Sequence, residues 1–248
     1  MAKIVFAGPS IYGVAAAEFS GLDVRPPAIR GDLLAAAFEK PEHIALIDGF
    51  FENAPSVWHK EILYALSQGI VVSGASSMGA LRAAECASFG MVGVGKIFDD
   101  YQSGRRSADA DVAVTHAPAE LGFRPLTEAL VDVEATIRAL RINGRISEAE
   151  SKEFGRVAAE LHFSRRSWPT ILNAAELPEM RRDELRHLLK NARRSQKQDD
   201  ARALLSALRQ GAIIRPAHAI AASQLARTPF LENLKDEIRA RPARAQNR

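Results

Sequence analysis

The 248-residue chain is 47% hydrophobic and 25% charged, the composition of a globular protein. It has no apolar run of roughly 18 residues, which excludes a membrane-spanning helix. Its single cysteine, Cys86, excludes an internal disulfide and agrees with a reducing, cytoplasmic setting. The net charge of +3 is unevenly placed: residues 1–140 carry −6 and residues 141–248 carry +9. The basic half reads either as a solvated helical surface or as a docking face for an acidic partner.

In chain order, residues 3–7 form a short apolar run that meets Gly8-Pro9-Ser10 at once, a first strand rather than a signal peptide. A short helix through Glu18 is expected next. Asp32 is a suitable N-cap for the apolar stretch Leu33 to Phe38. Ile44 to Ile47 is a second strand ending at Asp48-Gly49, and Ser56 begins a helix to Gln68 that Gly69 stops. Ile70-Val71-Val72 is a β-branched third strand. The small residues of Gly74 to Gly79 then turn into a helix from Ala80 to about Ser88. Strands alternating with helices predict an α/β fold, an open parallel sheet flanked by helices in three Rossmann- or flavodoxin-like layers.

From Leu126 the periodicity becomes helical. Helices are expected over 126–140, 147–163, 177–197 and 199–210. The chain therefore divides into an α/β core over 1–125, a helical C-terminal module over 126–238 and a basic mobile tail over 239–248.

Three motifs fall at the carboxyl ends of strands, where open parallel sheets gather their functional groups: Gly8-Pro9-Ser10, Asp48-Gly49 and Ser76-Ser77. Ala75-Ser76-Ser77-Met78-Gly79 has the small–x–Ser–x–small spacing of a nucleophile elbow, with Ala75 in place of the first glycine. On that reading Ser77 is the nucleophile and the N–H groups of Met78 and Gly79 hold an oxyanion. The plainer reading is a small-residue turn whose serine caps the helix. A serine nucleophile needs a base. His59, at the start of the helix after Asp48, and His116, beyond the Asp109–Asp111 segment, are the histidine candidates, with a desolvated Lys60 as the alternative. Asp48 is placed to orient an imidazole. Asp99, Asp100, Asp109 and Asp111 make an acidic loop without EF-hand spacing, and no metal site is assigned. No zinc spacing, Walker A loop or Gly-x-Gly-x-x-Gly occurs. Arg82 and Glu85 share a helix face at i,i+3 spacing.

Several runs resemble the TfuA-like family: Val5 to Ser10, Arg25 to Asp32, Ile47 to Phe51, Val57 to Leu63, Gly74 to Glu85, Phe89-Gly90-Met91 and Asp111 to Ala117. They occur in order over residues 4–117, and the resemblance fades after about residue 145. It implies an accessory protein for YcaO enzymes, which replace a peptide backbone oxygen by sulfur. It implies hydrolysis of the thiocarboxylate at the C-terminus of a ThiS-like sulfur carrier, releasing sulfide, and help in engaging the precursor peptide or protein substrate. ATP would belong to the YcaO partner, so no cofactor is expected here. Under this reading Ser77, His59 and Asp48 are the catalytic set. Gly8, Ser10, Ser76, Met78, Gly79, Lys60, Glu61, Arg82, Glu85 and His116 surround the substrate. Water activated directly by His59 and a carboxylate is an equally legal mechanism. A non-catalytic adaptor, with Arg181, Arg182, Arg193 and Arg194 as docking charges, is the alternative, and an unrelated small-molecule hydrolase a third. Self-association is left open. Nucleic acid is disfavoured, because the basic half has few aromatic anchors (Phe163 and Trp168) and no recognised motif.

Overall fold

The computed structural model describes residues 2–50, 52 and 54–240. Five parallel strands form one sheet: β1 (Lys3–Phe6), β2 (Asp23–Arg25), β3 (His43–Leu46), β4 (Val71–Ala75) and β5 (Val92–Val94), in the order β2-β1-β3-β4-β5. β1 pairs in register with β3 through Ile4↔Ile44 and Phe6↔Leu46, and β3 with β4 through Ile44↔Val72. The chain leaves β1 towards one edge and later builds outward to the other. The carboxyl ends of β1 and β3 therefore flank the switch point of the sheet, the usual ligand crevice of such folds.

Strand parity sorts the core. Ile4, Phe6, Ile44, Leu46 and Val72 pack against α1 (Asp32–Phe38), α2 (His59–Ser67) and α3 (Met78–Cys86). The alternate residues Val5, Ala7, Ala45, Ile47 and Ala75 face the other way. In a doubly wound fold a crossover helix after β1 would cover that second face. Here the β1–β2 connection holds only two 3₁₀ turns, Pro9–Ile11 and Ala16–Phe19, in place of the expected helix through Glu18. The cover comes from far along the chain instead: Ala201, Leu204, Leu205 and Leu208 of α9 (Gln196–Gln210) lie on the second face.

The region beyond residue 125 is thus not one separate layer. α5 (Leu130–Ile142), α6 (Glu148–Glu160), α7 (Trp168–Ala174) and α8 (Glu179–Ala192) build a second apolar core around Val133, Ile137, Phe154, Trp168, Ile171 and Leu185. α9 then returns to the sheet, and α10 (Pro229–Ala240) packs Leu234 and Ile238 on Leu34 of α1. Of the expected mobile tail, Arg239 belongs to α10; residues 241–248 lie outside the described residues.

Several boundaries shift for local reasons. Gly31, at φ +94°, is the N-cap of α1, and Asp32 sits one residue inside it with a carboxylate oxygen accepting from Ile29 N. α2 begins at His59 because Glu61 reaches back to the Trp58 N–H. The break between α8 and α9 falls at residues 193–195, not near 198, which moves Lys197 onto α9. α4 (Lys96–Gln102), β2 and β5 were not expected. β2 and β5 are three-residue strands, too short for an apolar period to show.

Under the sheet, at the amino ends of the strands, His43 is buried with Nε2 2.7 Å from Ser73 Oγ. Burial, with Lys3 nearby, lowers its pKa to about 4. A histidine lowered in the fold takes up its proton first in the unfolded chain. It therefore draws stability away as pH falls from about 6.5 towards 4. The urea midpoint of the wild type is expected to drop over that window more steeply than that of His43→Gln. Parallel slopes would show that His43 does not set the acid limb.

Candidate active site at the carboxyl edge of the sheet

Asp48, two residues beyond β3, is almost wholly buried and gathers the loop after β1. One carboxylate oxygen accepts from Gly8 N (2.8 Å) and Ser10 N (3.0 Å), and the other from Ser10 Oγ (2.7 Å). Gly8 is required there, since a Cβ would stand 2.5 Å from the Pro27 ring. Asp48 and Ser10 are thus brought together as the strand-end placement implied. Asp48 has no bond to His59.

The serine turn follows β4. Ser76 has φ +69°, and the Ser77 N–H donates to the Ala75 carbonyl across it (2.9 Å), a tight γ-turn that a non-glycine residue adopts only under strain. The vertex is Ser76, one residue earlier than the expected elbow, and the required small residue two before it is Gly74. A Cβ at Gly74 would meet the Gly79 carbonyl oxygen at 2.1 Å. Ser76 Oγ is fully enclosed and has no hydrogen-bond partner among the described residues. Ser77 is 8% exposed and its Oγ points to the Val112 carbonyl at 3.5 Å. Gly79 N–H is taken by the Ile47 carbonyl (3.1 Å), so Met78 N–H is what remains of the expected oxyanion pair.

The remaining expected residues fall into three groups. His59, half exposed, puts Nε2 2.8 Å from Glu85 Oε2, and Arg82 donates to that same oxygen (2.6 Å), to the Val57 carbonyl and to Ser56 Oγ. The Arg82–Glu85 pair thus forms as its spacing implied. Partial burial works against the Glu85 charge, but His59 and Arg82 hold its carboxyl below the usual range. This cluster ties α2 to α3 and leaves His59 engaged away from Asp48. Glu61 is buried and accepts from Gly31 N, Leu34 N and Trp58 N, so it locks the starts of α1 and α2 and is not free for substrate. Burial raises its pKa despite those donors. Lys60, beside it, is partly exposed on the first turn of α2. His116 returns to the carboxyl edge, with its ring against Phe50 and Phe123 and Nδ1 2.8 Å from its neighbour's carbonyl at Ala117.

In the acidic segment Asp100 pairs with Lys96 and Arg105, and Asp111 with Arg106. No group of three metal-binding side chains occurs among the described residues.

One residue escaped the sequence reading. Lys197, in the first turn of α9, is 3% exposed, and its Nζ donates to the Val112 carbonyl at 2.7 Å. It lines a cavity of about 240 Å³ with Ser10, Tyr12, Asp132, Arg193 and Arg194. Burial lowers the Lys197 pKa, against the charges of Asp48 and Asp132. Burial likewise pushes Asp132 up to about 6, against Lys197. Among the four arginines considered for docking, Arg181 is held by Glu150 and Glu184, and Arg182 by the Leu172 and Leu177 carbonyls. Arg193, though paired with Glu128, and Arg194 stand at the cavity.

No helix among the described residues is long and apolar enough to cross a membrane. No curated protein matches the chain in sequence. The family model described as TfuA-like protein matches residues 48–167, from Asp48 through the serine turn and the Val112 segment to the edge of α7. That stretch, which holds Asp48, both serines and the carbonyl on which Ser77 and Lys197 converge, is the part of the chain that is similar to the TfuA-like family.

Proposed function

We propose that this protein is the accessory hydrolase of a YcaO-dependent peptide thioamidation system, releasing sulfide from the thiocarboxylated C-terminus of a ThiS-like carrier. The match of residues 48–167 to the TfuA-like family model supports the role in the YcaO-associated system. The observation that supports hydrolysis is the serine turn: a strained Ser76 sets Ser77 at the carboxyl edge of the sheet, where its Oγ shares the Val112 carbonyl with Lys197, and Lys197 and Ser10 line the cavity. Hydrolysis of an acyl–sulfur bond needs a nucleophile, a proton acceptor and donors for the developing oxyanion. Ser77 attacks the carbonyl carbon, sulfur leaves, and water resolves the acyl-enzyme. The cationic Arg193 and Arg194 at the cavity suit an anionic thiocarboxylate tail. His59 is less suited to Ser77 than its sequence position suggested, because its Nε2 is engaged by Glu85 on the α2–α3 face.

The test is sulfide release from a thiocarboxylated ThiS-like carrier, read for the intact protein, Ser77→Ala and His59→Ala. Ser77→Ala is expected to lose roughly 1,000-fold or more of the rate, as nucleophile removal does. His59→Ala is expected to keep most of it. Undiminished release by a folded Ser77→Ala would exclude serine catalysis. No release by the intact protein would favour the adaptor, with Arg193 and Arg194 as its docking charges.

A further inference from the structure

We propose that Lys197, from the C-terminal part of the chain, is the proton acceptor of Ser77. The assignment takes its substrate from the hydrolase reading but its geometry from the site alone.

Ser77 Oγ and Lys197 Nζ both point to the Val112 carbonyl, at 3.5 and 2.7 Å, so they lie within two hydrogen-bond lengths of each other. The Nζ has three donor positions when charged. Among the described residues only the Val112 carbonyl receives one, and no carboxylate lies within ion-pair distance of it. Long amines normally carry their charge to the surface. A buried amine without a paired carboxylate is disfavoured as the ammonium, which is the environment of general-base lysines. The groups facing it are Asp48 from the end of β3 and Asp132 from α5. Both act at a distance, since Asp48 is committed to Gly8 and Ser10, and Asp132 to Ser195 Oγ and Lys197 N. Asp200, three residues along α9, is committed to Lys96 N and Ile97 N. Asp111, next to Val112, is engaged by Arg106. Glu128, at the cavity wall, pairs with Arg193.

The amine is also held in place. Ser195 caps α9 by accepting from Gln198 N, and Asp132 grips both Ser195 Oγ and the Lys197 N–H. Thr136 Oγ1 exchanges hydrogen bonds with the backbone of Arg194. From the other side Asp200 anchors the same helix to the start of α4. A reacting group fixed from two directions has the support a catalytic position needs.

The step balances. The neutral amine takes the Ser77 proton as the Ser77 Oγ–carbon bond forms. The carbon–sulfur bond then breaks with its electron pair on sulfur, and the ammonium returns the proton to give hydrosulfide and a seryl ester. Water repeats the cycle on the ester, yielding the carboxylate, free serine and one released proton.

A fluorophosphonate probe tests the pair without any sulfur carrier. In the intact protein it is expected to modify Ser77, with a rate that rises with pH along the Lys197 titration. In Lys197→Ala and Lys197→Arg the rate is expected to fall roughly 100-fold or more. Arginine keeps a long N–H donor at that place but is always charged and cannot accept a proton. Added ethylamine is expected to restore labelling of Lys197→Ala in proportion to its free base, a response that a purely structural lysine would not produce. Labelling of a folded Lys197→Arg at the wild-type rate, failure of amines to rescue Lys197→Ala, or no labelling of Ser77 in the intact protein would each overturn the assignment. Lys197-dependent labelling without sulfide release would uphold the pair and remove the sulfur carrier as its substrate.

Discussion

Gly79→Ala is expected to leave the α/β core unfolded or destabilised by more than about 4 kcal/mol. A Cβ at position 79 would stand 1.8 Å from the Leu46 carbonyl oxygen and 2.6 Å from its carbon, both backbone atoms of a central strand. Neither can swing aside as a side chain could. The Gly79 N–H is bonded to the Ile47 carbonyl, and the Gly79 carbonyl itself closes on Gly74. Relief at one contact therefore worsens another. Gly155→Ala is the matched control. Gly155 lies inside α6 with open space around its Cβ direction, and alanine there is expected to add roughly 0.5–1 kcal/mol by helix propensity. Urea unfolding of both variants checks the pair. A Gly79→Ala protein within about 1 kcal/mol of wild type would show that α3 does not seat as closely on the sheet as described.

Asp48→Ala is expected to cost about 3–5 kcal/mol, while Asp48→Asn keeps most of the stability. Alanine strands the N–H groups of Gly8 and Ser10 and the Ser10 hydroxyl, all in a buried corner. Asparagine can keep all three bonds. Its carbonyl oxygen accepts from both N–H groups where one carboxylate oxygen did, and its amide donates to Ser10 Oγ. What asparagine removes is the negative charge that faces Lys197 and raises its pKa. Comparing the two by urea unfolding and by fluorophosphonate labelling separates the clamp from the charge. Equal destabilisation in both variants would assign the stabilisation to charge rather than to hydrogen bonding.

The inner strands of the sheet were readable because apolar runs ending in Gly-Pro-Ser, Asp-Gly and a small-residue serine turn leave few other folds open. β2 was not, since Asp23-Val24-Arg25 at the sheet edge is largely polar and three residues long. At the candidate site, the strand-end rule singled out Gly8, Ser10, Asp48 and the serines, and the structure brings Gly8 and Ser10 onto Asp48 but His59 onto Glu85. His59 precedes Glu61 by two residues and Glu85 by 26, and only the packing of α2 on α3 decided that Glu85 would receive it.

The sequence by itself determined the parallel α/β layering, the position of the serine turn and the family signature, because each depends on neighbours within one strand–turn–helix unit. The tertiary structure alone decided that the second face of the sheet is covered by α9. It alone brought Lys197 and Val112 together across 85 residues of chain. No local pattern specifies such contacts. The β1–β2 connection holds two 3₁₀ turns and leaves an apolar face open, and the amphipathic α9, from far along the chain, fills it. A helix that carries its apolar stripe onto the sheet carries its first turn, and the lysine on it, to the edge where the serine stands.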